Sequence, residues 1–314
     1  MKSLRLISGL ARRFSAIPKG DNLKLLREQT GAPLMKCKEA LDKFPSLDQA
    51  KAYLRERNLI LADKRSGNDA SEGVLGINIL KDRVLVAKVN SETDFVAKND
   101  EFLSFVELAV KQLSSHSSHL PIGLTALTSE LLTTVPASEG NLLEQQKLIT
   151  AKIQENIKIS EVFVDGYGKG EVVGCYVHKA LKDNIGAALG YVVVRCDGHP
   201  DPAAVRQMAE DLAVHIFCKS PSYVSFESIP KELIEERKKE VMGSLDATFV
   251  KKPKEIQERI VDGKIRKAFD DEILLEQIAV FFDSEKTVAD YIKQFESEHK
   301  TKVHIVKFNS FKVK

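Results

Sequence analysis

The chain has 314 residues, 43% of them hydrophobic, which is enough for more than one buried core. Lys and Arg number 47 against 45 Asp and Glu, a net charge of +2. That balance argues against a generic polyanion binder and against an acidic disordered protein, and the longest apolar run, Ile185 to Val194, is about half of the ~20 residues a membrane span requires.

The first twenty residues differ from the rest. They hold Lys2, Arg5, Arg12, Arg13 and Lys19 and no acid, with Leu4, Leu6, Ile7, Leu10 and Phe14 spaced between the basic residues at helical intervals. This is the composition of an amphipathic mitochondrial presequence, and Arg12–Arg13 interrupt any secretory apolar stretch. Without residues 1–20 the charges are 42 basic against 45 acidic, or −3.

Residues 21–64 predict a three-helix unit. Asp21 or Asn22 caps the first helix, Leu23 and Leu26 form its apolar face, and Gly31 ends it. Pro33 opens a second helix with Leu34, Cys37, Leu41 and Phe44 on one side, and Pro45 stops it. Asp48 caps a third, with Ala52, Leu54 and Leu59 available for burial. So small a bundle suits a docking module on a tether, here residues 65–73.

A duplicated unit follows. Val74–Leu80 and Val84–Val89 are strand-like runs joined at Lys81-Asp82-Arg83, then comes a polar loop, Asn90 to Asp100. Phe102, Phe105, Val106, Ala109, Val110 and Leu113 make the stripe of an amphipathic helix. The same order returns in Val172–Val177, Ala188–Val194, a polar loop, and a helix starting at Pro202 under an Asp201 cap with Val205, Met208, Ala209, Leu212 and Ile216 as its stripe. The expected class is therefore α+β: two related subdomains, 74–165 and 166–314, each with an antiparallel sheet covered on one face. Between the repeats, Asn141–Asn156 predicts a helix, and residues 114–121 a loop. After Ile229-Pro230, two charged helical stretches, Lys231–Glu240 and Pro253–Phe269, predict a projecting helical hairpin over about 230–270 with too much charge for a core. Ser284 caps a last helix, Glu285–Glu298, and Val303–Phe311 closes as a strand.

The sequence carries little recognisable catalytic chemistry. There is no P-loop, nucleophile elbow or zinc-protease signature. Gly166, Gly168, Gly170 and Gly174 miss the dinucleotide spacing and read as a turn; His116 and His119 sit in a Ser-rich loop without neighbouring carboxylates. Cys37, Cys175, Cys196 and Cys218 lie far apart and read as reduced packing residues. His178 and His215 have no carboxylate partner in sequence and read as structural. Binding therefore becomes the leading class. In the loop Asn90–Asn99, Phe95 and Val96 either plug the join of sheet and helix or form an aromatic anchor beside Asp94. A rival reading is an organellar RNA-binding or ribosome-associated adaptor using Lys251–Lys254, which the −3 balance and the absence of aromatics among the basic residues disfavour.

Five segments in order make the chain resemble the elongation factor Ts family, guanine-nucleotide exchange factors of elongation factor Tu. They are Leu26-Arg27-x-x-Thr30-Gly31-Ala32 with Cys37-Lys38-x-Ala40-Leu41; Thr93-Asp94-Phe95-Val96-Ala97-Lys98; Lys152-Ile153-x-Glu155-Asn156-Ile157; Tyr176-x-His178; and Lys252-Pro253-Lys254-Glu255-Ile256. With the leader, the resemblance implies the mitochondrial form, a matrix protein. It implies a ubiquitin-associated-like three-helix domain that meets the G domain of the GTPase through Arg27, Leu34 and Met35, Leu34 replacing a Met common in bacterial members. It implies that Thr93, Asp94, Phe95 and Val96 insert beside the nucleotide site and displace magnesium, and that His178 touches a further domain of the partner, although the extended loop Lys179–Asn184 departs from the pattern there. No cofactor, catalytic residue or metal site is expected, nor direct binding of nucleotide, nucleic acid or membrane. Two further departures are a stretch from Ser114 to Gln146 longer than in typical bacterial members, and an expected absence of their C-terminal helical module.

Overall fold

The computed structural model describes residues 19–44, 46–243, 253–281 and 285–313. The basic leader falls almost wholly outside that range, as do Pro45, Lys251, Lys252 and Ser284, for each of which the sequence suggested a role. The chain divides into two compact units. One holds the chain up to Gly67 with Lys147–Glu155, the other Asn68–Gln146 with Asn156 onward.

In the first unit, α1 (Lys19–Thr30), α2 (Leu34–Lys43) and α3 (Leu47–Arg65) close on a core of Leu26, Ala32, Cys37, Ala40, Ala50 and Leu54. Gly31 stops α1 at φ 63°, a left-handed conformation strained for any side chain, and donates its N–H to the Arg27 carbonyl at 2.8 Å. A Cβ there would also lie 2.6 Å from Cε of Lys152, so residues of two of the five segments meet. Three details correct the sequence reading. α1 begins before Asp21, which lies inside its first turn. In α2, Leu34 is left out of the core because Ala32 fills that end, and Cys37 with Ala40 takes the buried positions. Ser46, not Asp48, stands at the N-cap of α3, whose buried stripe is Ala50, Leu54 and Ala62; Ala52 is exposed.

The second unit opens with the hairpin β1 (Glu72–Ile79) and β2 (Arg83–Ser91), whose register runs from Glu72 opposite Ser91 to Ile79 opposite Val84. α4 (Asp100–Ser115) buries all six residues of its predicted stripe. Along the chain then come β3 (Gly123–Ala126), α5 (Ser129–Thr134), α6 (Leu142–Ile153, of which the residues from Lys147 on count to the first unit), β4 (Lys158–Gly166), β5 (Glu171–His178), β6 (Ile185–Gly186), β7 (Ala188–Cys196) and α7 (Pro202–Lys219). The strands, with β8 (Val303–Lys312), form two antiparallel sheets, β3-β4-β2-β1-β6 and β5-β7-β8.

The alternation of side chains explains how the sheets stack. Leu75, Ile77, Val84 and Val86 of the first sheet share a core with Leu189, Tyr191 and Val193 of β7. Residues of the other parity, Val192 and Val194, join the stripe of α7. The sheets therefore pack back to back, with α4 on β1 and β2 and α7 on β5 and β7. Each sheet is covered on both faces, not one as the sequence suggested. That is why Ile185–Val194 reads as an unbroken apolar run: every residue of Ala188–Val194 is buried. Gly174 allows the approach of α7, since a Cβ there would lie 2.1 Å from the Ala209 carbonyl carbon.

α8 (Lys231–Gly243) and α9 (Lys254–Phe269) pair. The expectation that their charge precludes a core is corrected: Val261, Ile265 and Phe269 of α9 are buried with Ile229 and Ile273, and Ile234 and Val241 of α8 pack on them. α10 (Val288–His299) begins three residues later than expected, because Thr287 and Asp290 form a reciprocal capping box. No described helix is long and apolar enough to cross a membrane.

Candidate functional site

The segment between β2 and α4 is closed on itself before it reaches any partner. Ser91, fully buried, donates its hydroxyl to the Thr93 carbonyl at 2.9 Å. Ala97 N–H returns to Thr93 O at 3.3 Å, Lys98 N–H to Phe95 O at 3.2 Å and Asn99 N–H to Val96 O at 2.9 Å, making one 3-10 turn over Val96–Lys98. Asn99 then caps α4, its Oδ1 accepting from Glu101 N–H at 2.8 Å and Phe102 N–H at 3.3 Å. A polar loop thus becomes a braced turn with little freedom left to lose on binding.

On this turn Ala97 is the buried residue and Val96 is half-buried, whereas Phe95 is 80% exposed. The plug reading fails for Phe95: Ala97 fills the join of sheet and helix, and the ring projects into solvent. Asp94 beside it is exposed and pairs with Lys98 at 2.9 Å, a hydrogen bond that holds its carboxyl below the usual carboxylate range. An aromatic ring, a carboxylate and a lysine thus stand together on a fixed support, the composition of a binding anchor.

In the first unit, Leu34 and Met35 open α2 at 50% and 63% exposure, and Arg27 is exposed near the end of α1. Burial raises the pKa of the Cys37 thiol, against the Thr30 hydroxyl bond and the charge of Arg27, which is close enough to act on it. Two apolar side chains and a cation are therefore presented around one helix start. The segment Thr93–Val96 belongs to the other unit.

His178 ends β5 half-buried, with its ring stacked on Phe217 at 4.5 Å and its Nδ1 3.4 Å from the Tyr176 hydroxyl. The loop after it is tied to its surroundings. Leu181 N–H donates to Ile185 O at 2.8 Å, Lys182 pairs with Glu107 of α4 at 2.7 Å, and Asn184 O accepts from Ile77 N–H at 2.9 Å. His215 is fully buried, with Nε2 2.8 Å from Gln277 Oε1, so an amide satisfies it in place of a carboxylate. His116 and His119 lie with ring centroids 4.7 Å apart, and among the described residues no group of three or more possible metal ligands occurs. Sequence reasoning passed over Ser91 and Asn99, whose side chains bond locally and leave no mark on hydrophobic period.

A family model described as elongation factor TS matches residues 92–314. The elongation factor Ts of Anaplasma marginale (strain St. Maries) is 32% identical over 296 residues, covering 93% of this chain and 98% of that protein. That of Ehrlichia chaffeensis is 30% identical over 298 residues, 92% of this chain and 96% of its own length. That of Chlamydia trachomatis serovar D is 35% identical over 271 residues, 85% and 88% of the two.

Proposed function

The chain belongs to the elongation factor Ts family, and from that premise we propose that it is a guanine-nucleotide exchange factor for elongation factor Tu in translation elongation, in its mitochondrial form. The observation that carries the reading is Phe95, 80% exposed on a turn braced at both ends. A GTPase holds GDP by backbone amides around its phosphates and by Mg²⁺ bridging oxygens, and the ion is the largest local charge in such a site. Phe95 enters as a wedge between helices beside that site, and Asp94 competes for exposed amides or repels the phosphates, so the ion leaves and GDP follows. Arg27, Leu34 and Met35 hold the G domain during this step, and His178 adds a contact to a further domain.

Exchange requires only that the factor bind the nucleotide-free GTPase more tightly than the loaded one. By reciprocity the nucleotide weakens the factor equally, so incoming GTP expels it. A coupling of about 4 kcal/mol corresponds to roughly a thousandfold in affinity. No covalent step enters, so the protein is assigned no catalytic residue and no cofactor. The acid-free basic leader supports a matrix location. The test loads mitochondrial elongation factor Tu with fluorescent GDP and follows its release in stopped flow; unaccelerated release overturns the proposal.

A further inference from the structure

The turn leaves β2 directly after Ser91, which is paired with Glu72 and bonds the Thr93 carbonyl, so its direction depends on how this strand end is held. Asn99 anchors the end that enters α4. The other end is held by the residue immediately before Thr93. Glu92 Oε1 accepts two hydrogen bonds, from the Asn156 backbone N–H at 2.5 Å and from Asn68 Nδ2 at 2.9 Å. The two donors are themselves joined, Asn156 Nδ2 donating to the Asn68 carbonyl at 2.7 Å. Three segments far apart in sequence, the stretch after α3, the residue leading into the turn and the approach to β4, therefore converge on one carboxylate oxygen. Asn68 and Asn156 are also the residues at which the chain enters the second unit, after Gly67 and after Glu155.

We propose that Glu92, held by Asn68 and Asn156, is a positioning residue for nucleotide exchange: it sets the direction in which the turn presents Phe95. The inference rests on the function proposed above. It gives Asn156, one of the residues that carried the family resemblance, a physical task outside any contact with the partner. The carboxylate acts as an acceptor and not through its charge on the partner, which separates it from Asp94.

The experiment measures fluorescent GDP release from elongation factor Tu against factor concentration, together with backbone hydrogen exchange of residues 93–99 in the free protein. Glu92→Ala is expected to lower the maximal release rate roughly ten- to a hundredfold, the scale of a misplaced group, while leaving the half-saturating concentration near that of the wild type. Glu92→Gln, which keeps Oε1 as acceptor, is expected to restore the rate. Asn68→Ala, at an exposed site where folding is not at stake, is expected to change both readouts in the same direction by less. Hydrogen exchange over 93–99 rises in Glu92→Ala and not in Glu92→Gln. A wild-type maximal rate in Glu92→Ala, or a Gln variant as slow as the Ala variant, overturns the positioning role. If the wild-type protein fails to accelerate release, the proposed function falls, while unchanged hydrogen exchange in both Glu92→Ala and Asn68→Ala would refute the clamp independently.

Discussion

Replacing Phe95 with Ala separates the two roles an aromatic residue can play. Full burial of a Phe side chain contributes about 1.5–3 kcal/mol. With 80% of the residue exposed in the free protein, only about a fifth of that is engaged in folding, or roughly 0.3–0.6 kcal/mol. For a chain of this size that corresponds to a fall in Tm of no more than about 2 °C. The remaining four-fifths is available to the partner, about 1.2–2.4 kcal/mol, or roughly 10- to 50-fold in the rate or affinity of the step in which the ring is buried. The assay pairs thermal unfolding by circular dichroism with stopped-flow release of fluorescent GDP from elongation factor Tu. A slow variant with unchanged Tm is expected. Release at wild-type speed would refute the wedge assignment, and a Tm lowered by 5 °C or more would show instead that the ring supports the fold.

Replacing Met35 with Ser is expected to leave Tm unchanged, since the side chain is largely exposed, and to raise the half-saturating concentration in the exchange assay without altering the maximal rate. Gly174→Ala drives a methyl group into the backbone of α7 and is expected to cost about 1–3 kcal/mol or more, read as a shift in the urea midpoint. His215 accepts from Val280 N–H at Nδ1, which requires the neutral ring with its proton on Nε2, and burial places its pKa below the ordinary 6.5 against the opposing Gln277 bond. The unfolded chain thus takes up this proton first, so its contribution to stability is full above pH 6.5 and declines as the pH falls from there toward the lower native value; urea titrations across that range should show a slope that His215→Gln abolishes. Of the four cysteines, exposed Cys218 should react rapidly with a thiol reagent, whereas Cys175, pushed up to about 12 by burial and the charge of Glu210, and buried Cys37 should require denaturant.

The sequence was most legible where one period dominates. The stripes of α4 and α7 and the Asp201 cap lie where spacing placed them, because an apolar face and a short polar cap are local properties. β3, β4 and β6 were not legible. β4 carries Ser160, Glu161 and Asp165 among its apolar residues, β3 has four residues and β6 two, so pairing with distant partners decides them. Spacing could also not reveal that the sheets pack on each other, since that depends on which parity of β7 faces which neighbour. At the candidate site, residue types identified Phe95 and Asp94, but the exposure of Phe95 follows from Ala97 taking the buried position. The support from Ser91, Glu92 and Asn99 consists of polar side chains meeting backbone groups, for which a sequence carries no periodic mark.

The two-residue strand β6 has a consequence for how the protein is made. Leu75 and Gly76 of β1 find their outer partners only in Gly186 and Ile185. During synthesis at about 5–20 residues per second, β1 waits roughly 5–20 s after its own emergence with that edge open. An open strand edge invites pairing with another chain, and the following segments cannot close it early, because β2 takes the opposite side. The five-stranded sheet is therefore not finished when β4 is complete; its β1 edge is sealed only by β6, which follows β5 of the other sheet. Premature release of the chain before Ile185 would leave a sheet with an unprotected flank, so a truncated product should aggregate where the full chain does not.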